Sequence, residues 1–188
     1  MPDINNDLFT LAMSEKAQPL MYAVKKHIQE NVEPITEEFY SLEKEKEDRW
    51  SWHPRQLELL DGAKAKAKAS GLWNFFLPDS EIGEGLTNLD YAYIATELGK
   101  FALASETLNC SAPDTGNMEV LERVGTEAQK EKWLKPLLNG DIRSAYAMTE
   151  PGIPSSDAKN ISTQAVLDGD EWVINGEKFY ISGAGDPR

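Results

Sequence analysis

Apolar residues recur at helical spacing through the first three quarters of the chain. Leu8, Leu11, Ala12, Leu20, Val24 and Ile28 mark a helix from Asp7 to about Glu30. Pro19 lies inside that pattern and is expected to break or kink it, because proline lacks an N–H and crowds the preceding turn. Ile35, Phe39 and Leu42 extend the stripe from Asn31 to Asp48, where the acidic and basic run from Glu43 reads as a solvated face. Leu57, Leu60, Ala63 and Ala67 place a further helix over an alternating Ala/Lys run, since neither residue is a β-former, and Gly71 stands where a C-terminal cap belongs. An aromatic-rich loop, 72–85, follows. Thr87 reads as the N-cap of a helix carrying Tyr91, Ile94, Ala95 and Leu98 and ending at Gly99. Residues 101–121 read as helical in parts, interrupted by 111–117. Thr126 and Gln129 form a capping box ahead of Trp133, Leu134 and Leu137, with a stop at Gly140.

After Asp141 the period changes. Ser144 to Thr149 reads as a strand. Ile161 to Leu167 and Glu171 to Gly176 alternate, joined by the turn Asp168-Gly169-Asp170. Asn175-Gly176 is a strong hairpin signal leading into another strand, Glu177 to Gly183. Helices first and strands after means an α+β chain: an all-helical bundle over 1–143, followed over 144–188 by the start of an antiparallel β-domain. Three or four strands are few for a free-standing sheet, and the last would leave an open edge, so a truncation of something longer is expected.

The totals exclude several function classes. Among 188 residues, 19 Lys and Arg face 32 Asp and Glu, a net charge of −13. Such a field repels nucleic acid and anionic membrane. One cysteine, Cys110, permits no intrachain disulfide, and with two histidines it makes no plausible zinc cluster, so no metal is expected. The N-terminus shows neither a secretory nor a mitochondrial presequence, and no apolar run is long enough to span a membrane. The expected location is cytoplasmic, although a mature mitochondrial matrix chain would look the same. His27 and His53 read as structural or surface residues, and Trp50, Trp52, Trp73, Phe75 and Phe76 as packing residues.

One segment departs from this scaffold chemistry. Met148 to Asn160, MTEPGIPSSDAKN, crowds Thr149, Ser155, Ser156, Glu150 and Asp157 around two prolines. Composition alone makes it a surface turn, because Pro, Gly, Ser and Asp are ordinary turn residues. Its density of hydroxyl and backbone N–H donors also suits a pyrophosphate or the edge of a heteroaromatic ring.

The stretch YAMTEPGIPSSD, followed by the hairpin DGDEWVINGEKFYISGAGDPR, resembles the acyl-CoA dehydrogenase family. That family's middle domain carries (Y/F)-x-x-T-E-P-x-x-G-S-D and then N-G-x-K-x-W-I-(T/S). The upstream stretch from Ala112 to Ile142 resembles it as well, in the branch of human family members ten and eleven. The resemblance implies an FAD-dependent α,β-dehydrogenation of acyl-CoA thioesters. Tyr146, Ala147, Met148, Thr149 and Glu150 would open the flavin-binding loop, with Met148 and Thr149 offering backbone N–H groups and a hydroxyl. Ser155 and Ser156 would close it, Ser156 also lying near the acyl-CoA. Tyr180, Ile181 and Ser182 would match the family's Trp-Ile-Thr strand. This chain has PGIPSSD where the family has the shorter PGAGSD, so either serine can hold the family's serine position. Tyr180 replaces a tryptophan.

In the family, a carboxylate removes the α-proton while flavin accepts the β-hydrogen as hydride. That carboxylate belongs to a C-terminal helical domain absent from this sequence, so no catalytic residue is assigned and the chain alone is expected to be inactive. Glu150 stands at a flavin-loop position. The resemblance also implies electron-transfer flavoprotein as acceptor, and homo-oligomeric assembly. An acyl-CoA oxidase-like enzyme, or a non-catalytic helical interaction module with a vestigial flavin loop, would share these residues.

Overall fold

The computed structural model describes residues 11–78 and 82–188. The expected helical start from Asp7, with Leu8, lies outside the described residues, and 11–17 form coil and turn. The chain divides into two compact units, Met1–Thr115 and Gly116–Arg188.

The first unit is helical. Helix α1, Gln18–His27, begins with Pro19 in its first turn, so the proline starts the helix and does not kink it. At that position its missing N–H would have had no intrahelical partner. A π-turn over Ile28–Val32 connects α1 to α2, Glu33–Ser41. Pro34 explains the π-turn: its ring clashes with the carbonyl four residues back, and one wider turn relieves the clash. The expected helix to Asp48 stops earlier. A 3₁₀ turn, Leu42–Glu45, ends it, and Lys46 is extended.

Helix α3, Pro54–Ala69, is capped at both ends. His53 accepts the Arg55 N–H at 3.1 Å, and Gln56 returns to the His53 amide at 3.2 Å. At the far end Gly71, at φ 70°, allows Leu72 N–H to reach Ala67 C=O and Gly71 N–H to reach Lys68 C=O, a Schellman closure. The Ala/Lys alternation is therefore helical. Its alanines Ala63 and Ala67 are buried, and Lys64 pairs with Glu106 at 3.0 Å.

The aromatic loop folds inward through Phe75, Phe76 and Leu77, all buried. Asn74 and Asn109 both adopt left-handed φ and share a 2.6 Å hydrogen bond. Trp50 does not pack as expected. It is 59% exposed, with the Arg49 guanidinium over its ring. Helix α4, Asn88–Leu98, starts at the Thr87 cap, and the short α5, Ala104–Thr107, presents Thr107 to the buried His27 at 3.2 Å. Leu60, Val24, Val32, Ile94 and Leu108 form the centre of this core, each worth roughly 1.5–3 kcal/mol of transfer free energy.

The second unit starts within α6, Asp114–Val124. The Thr126–Gln129 box opens α7, Glu127–Gln129, which passes through a second π-turn, Lys130–Leu134, into α8, Lys135–Asn139. Pro136 stands two residues after that π-turn, as Pro34 does after the first. Gly140 closes α8 in the left-handed conformation.

Among the described residues the only sheet is one hairpin, β1, Gln164–Asp168, antiparallel to β2, Glu171–Asn175. Val166 pairs with Val173 and Leu167 with Trp172. Two of the expected strands are not formed: 144–149 joins no ladder, and 177–183 does not fold back on β2. Asn175-Gly176 is not a hairpin turn. Gly176 is required because Thr163 lies against it: a Cβ there would stand 2.2 Å from Thr163 Oγ1. The chain thus runs on from β2 toward Met148, where its bonds are to loop residues.

Candidate functional site

Glu150 organises the polar loop. Its neighbours Pro151 and Pro154 lack amide donors, so this segment cannot be held by a regular ladder. The buried carboxylate takes over that task. Glu150 Oε2 accepts from the Ser162 amide at 2.8 Å and the Ser162 hydroxyl at 2.6 Å. Oε1 accepts from the Thr163 amide at 2.9 Å and from Lys178 Nζ at 2.8 Å. Glu150 is 3% exposed. A carboxylate stripped of water needs such a full set of donors. Lys178 first, then Ser162 and Thr163, hold its carboxyl well below the usual carboxylate range.

The backbone around Glu150 is pinned as firmly. Its amide donates to Ser155 Oγ at 2.7 Å. The Thr149 carbonyl accepts the Phe179 N–H at 3.1 Å. The Met148 carbonyl accepts Lys178 Nζ at 2.9 Å. Lys178 thus bridges the carboxylate and the backbone two residues before it. The amides of Met148 and Thr149 and the Thr149 hydroxyl have no protein partner among the described residues.

The residues expected at a cofactor fall into three groups. Met148 and Thr149 are half-buried and carry these spare donors. Glu150 and Ser155 are buried, and their bonds to one another and to 162, 163 and 178 leave them inside the loop. Tyr146, Ala147, Ser156 and Ser182 are exposed, while Ile181 is half-buried. Tyr180 is 87% exposed and sits at φ 53°, uncommon for a bulky residue, with its ring tilted over Phe179 at 4.4 Å between centroids. The two serines are now distinguished: Ser155 is internal, and Ser156 faces outward.

Sequence reasoning missed Lys178, Ser162, Thr163 and Gly176. Lys178 and Gly176 stand at fixed positions of the N-G-x-K motif, which was the available signal, and a Ser-Thr pair just before β1 and the loop glutamate were available as mutual partners. A separate cavity of about 390 Å³ in this unit is lined mainly by Val120, Leu121, Trp133, Leu137 and Ile142. Its edge carries Ser144, whose hydroxyl oxygen accepts the Asn117 side-chain amide at 2.8 Å. No group of acidic, histidine or cysteine residues able to hold a metal occurs among the described residues.

The family model of the acyl-CoA dehydrogenase N-terminal domain matches residues 14–141, and that of the acyl-CoA dehydrogenase middle domain matches residues 145–188. Acyl-CoA dehydrogenase family member 10 of Mus musculus is 49% identical over 177 residues, which take in 88% of this chain and only 16% of that protein. A solved structure from Mycobacterium abscessus is similar over 94% of this chain and 44% of its own, with a TM-score of 0.85 and 47% identity. An acyl-CoA dehydrogenase from Bacillus anthracis, solved in complex with FAD, is similar over 90% of this chain and 27% of its own, with a TM-score of 0.59 and 29% identity.

Proposed function

This chain belongs to the acyl-CoA dehydrogenase family, and from that premise we propose that residues 1–143 are the N-terminal helical domain, and 144–188 part of the middle domain, of an FAD-dependent enzyme that oxidises acyl-CoA thioesters between their α and β carbons. The observation that carries this reading is the pinned strip Met148–Glu150. Two successive amides and one hydroxyl have no protein partner, on backbone held by Lys178, Phe179 and Ser155. Rigid donors of this kind suit the electron-rich pyrimidine edge of a flavin.

FAD, when bound, supplies the hydride acceptor. The chain's own residues orient it: Met148 and Thr149 by their donors, Tyr180 and Ser182 from the segment that follows Phe179. Ser156, exposed beside the loop, is the candidate contact to pyrophosphate or acyl-CoA. The largely apolar cavity beside α6 and α8 has the right chemistry for an aliphatic chain. Glu150 is not the base. Its carboxylate already accepts from four donors and is held strongly acidic, so it neither reaches nor keeps a substrate proton. The base lies outside these residues. We place the protein in the cytoplasm, or in the mitochondrial matrix as a mature chain, as a homo-oligomer that passes electrons to electron-transfer flavoprotein.

FAD titration tests the reading. The flavin absorbance band should sharpen and shift on adding the chain, and Thr149→Ala should weaken binding about tenfold. An unchanged flavin spectrum at saturating chain overturns it. Dye reduction with an acyl-CoA by this chain alone would overturn the assignment of the base elsewhere.

A further inference from the structure

Lys178 does more than neutralise Glu150. Its ammonium donates to the Met148 carbonyl at 2.9 Å while pairing with Glu150 Oε1 at 2.8 Å. The Met148–Thr149 peptide is trans and planar, so its N–H points opposite to its carbonyl. Gripping the Met148 oxygen therefore aims the Thr149 N–H away from Lys178, and that N–H has no protein partner among the described residues.

The next peptide is fixed too. The Thr149 carbonyl accepts from Phe179, and the Glu150 amide donates to Ser155. The first plane cannot rotate without breaking the Lys178 bond, and the second cannot without breaking a bond on each side. A cation on a carbonyl also polarises the whole amide group, making its N–H a stronger donor.

Resting on the flavin-loop reading above, we propose that Lys178 is a positioning residue: through the Met148–Thr149 peptide it aims and strengthens the Thr149 N–H toward the flavin ring, favouring the reduced, more electron-rich form. Glu150 sets where Lys178 stands, and Ser162 and Thr163 set where Glu150 stands. Lys178 itself touches no reacting atom.

The test compares wild type with Lys178→Met, Lys178→Gln and Lys178→Arg. In the chain without FAD, the Thr149 amide nitrogen resonance should move upfield in Lys178→Met and stay near its wild-type position in Lys178→Arg. With FAD bound, Lys178→Met should lose about tenfold in its preference for reduced over oxidised flavin, a fall of about 30 mV for a two-electron couple. Lys178→Gln, which keeps a neutral donor, covers the case in which Lys178→Met does not fold. It should show the same loss of preference, with the native circular dichroism retained.

An unchanged potential in the neutral variants, with FAD still bound, overturns the inference and leaves the flavin loop standing. A wild-type Thr149 amide that does not respond to FAD overturns the flavin-loop reading, and the inference with it.

Discussion

Replacing Gly176 with alanine adds one methyl group and should loosen the Glu150 cluster. The new Cβ would stand 2.2 Å from Thr163 Oγ1, 2.7 Å from its Cβ and 2.8 Å from its Cγ2. Thr163 is β-branched and stiff at χ1, so no rotamer clears all three atoms. Gly176 is outside the left-handed region, so the penalty is steric and not conformational. An extra methyl in closed packing costs about 1–3 kcal/mol. The strain falls on the residue whose amide binds Glu150 at 2.9 Å. At tenfold per 1.4 kcal/mol, hydrogen-exchange protection of the Ser162, Thr163 and Phe179 amides should fall about 5- to 150-fold. Amides of α3, in the other compact unit, are the internal reference. Thr163→Gly removes all three clashing atoms, so Gly176→Ala in that background should lose most of its cost, a coupling of about 0.5–3 kcal/mol as expected for residues in contact. Equal losses in both backgrounds, or none in either, would refute the steric argument.

Leu60 is fully buried, and Leu60→Ala should lower stability by about 2–5 kcal/mol in urea titration followed by helical circular dichroism. His27 is held below its ordinary pKa of 6.5 by burial and then by the Lys66 charge, so the unfolded chain takes up its proton first. Its contribution is present above pH 6.5 and lost as pH falls toward the lowered value; His27→Gln should flatten the dependence of the urea midpoint between pH 7.5 and 5.5 (roughly the window in which histidine titrates). Asp90 is held below its ordinary 3.8, chiefly by the Ser14 amide at 2.8 Å and, after burial's opposing effect, by Thr87. Its contribution is present above that value and lost as pH falls through the lowered one, so Asp90→Asn should show a shallower acid transition than wild type. The Cys110 thiol, pushed up to about 12 by burial, should resist aromatic disulfide reagents in the native state and react promptly in denaturant.

The helices were legible because their signals are local. Thr87 and Thr126 cap where their capping boxes stand, and Gly71 closes α3 with the expected backbone bonds. Pro19 and Pro34 were harder, since a proline starts a helix, or follows a π-turn, according to which carbonyl stands four residues back. The β-region misled for a related reason. Asn175-Gly176 has the composition of a turn, but its glycine answers to Thr163, far back along the chain on the other side of the hairpin. Ser144 to Thr149 reads like a strand but finds its partners in the Asn117 and Lys178 side chains and the Phe179 amide, not a ladder. Local pattern specifies extended backbone there, and only tertiary contact decides what pairs with it.

The same contrast bears on where binding chemistry can arise. A loop with two prolines and a glycine has few amides to order itself, and as an isolated peptide it would remain a turn. Its order comes from one buried charge reaching residues 12, 13 and 28 positions away. A misplaced buried carboxylate is costly, so each of those contacts restricts the loop to one arrangement. The spare donors of Met148 and Thr149 are therefore pre-organised only once residues 162, 163 and 178 have closed on Glu150. Segment 144–160 alone carries the whole of this chain's version of the loop motif and lacks Lys178, Ser162 and Thr163. Its donors would then have to be ordered at the expense of binding, and it should bind flavin far more weakly than the chain that contains the closing residues.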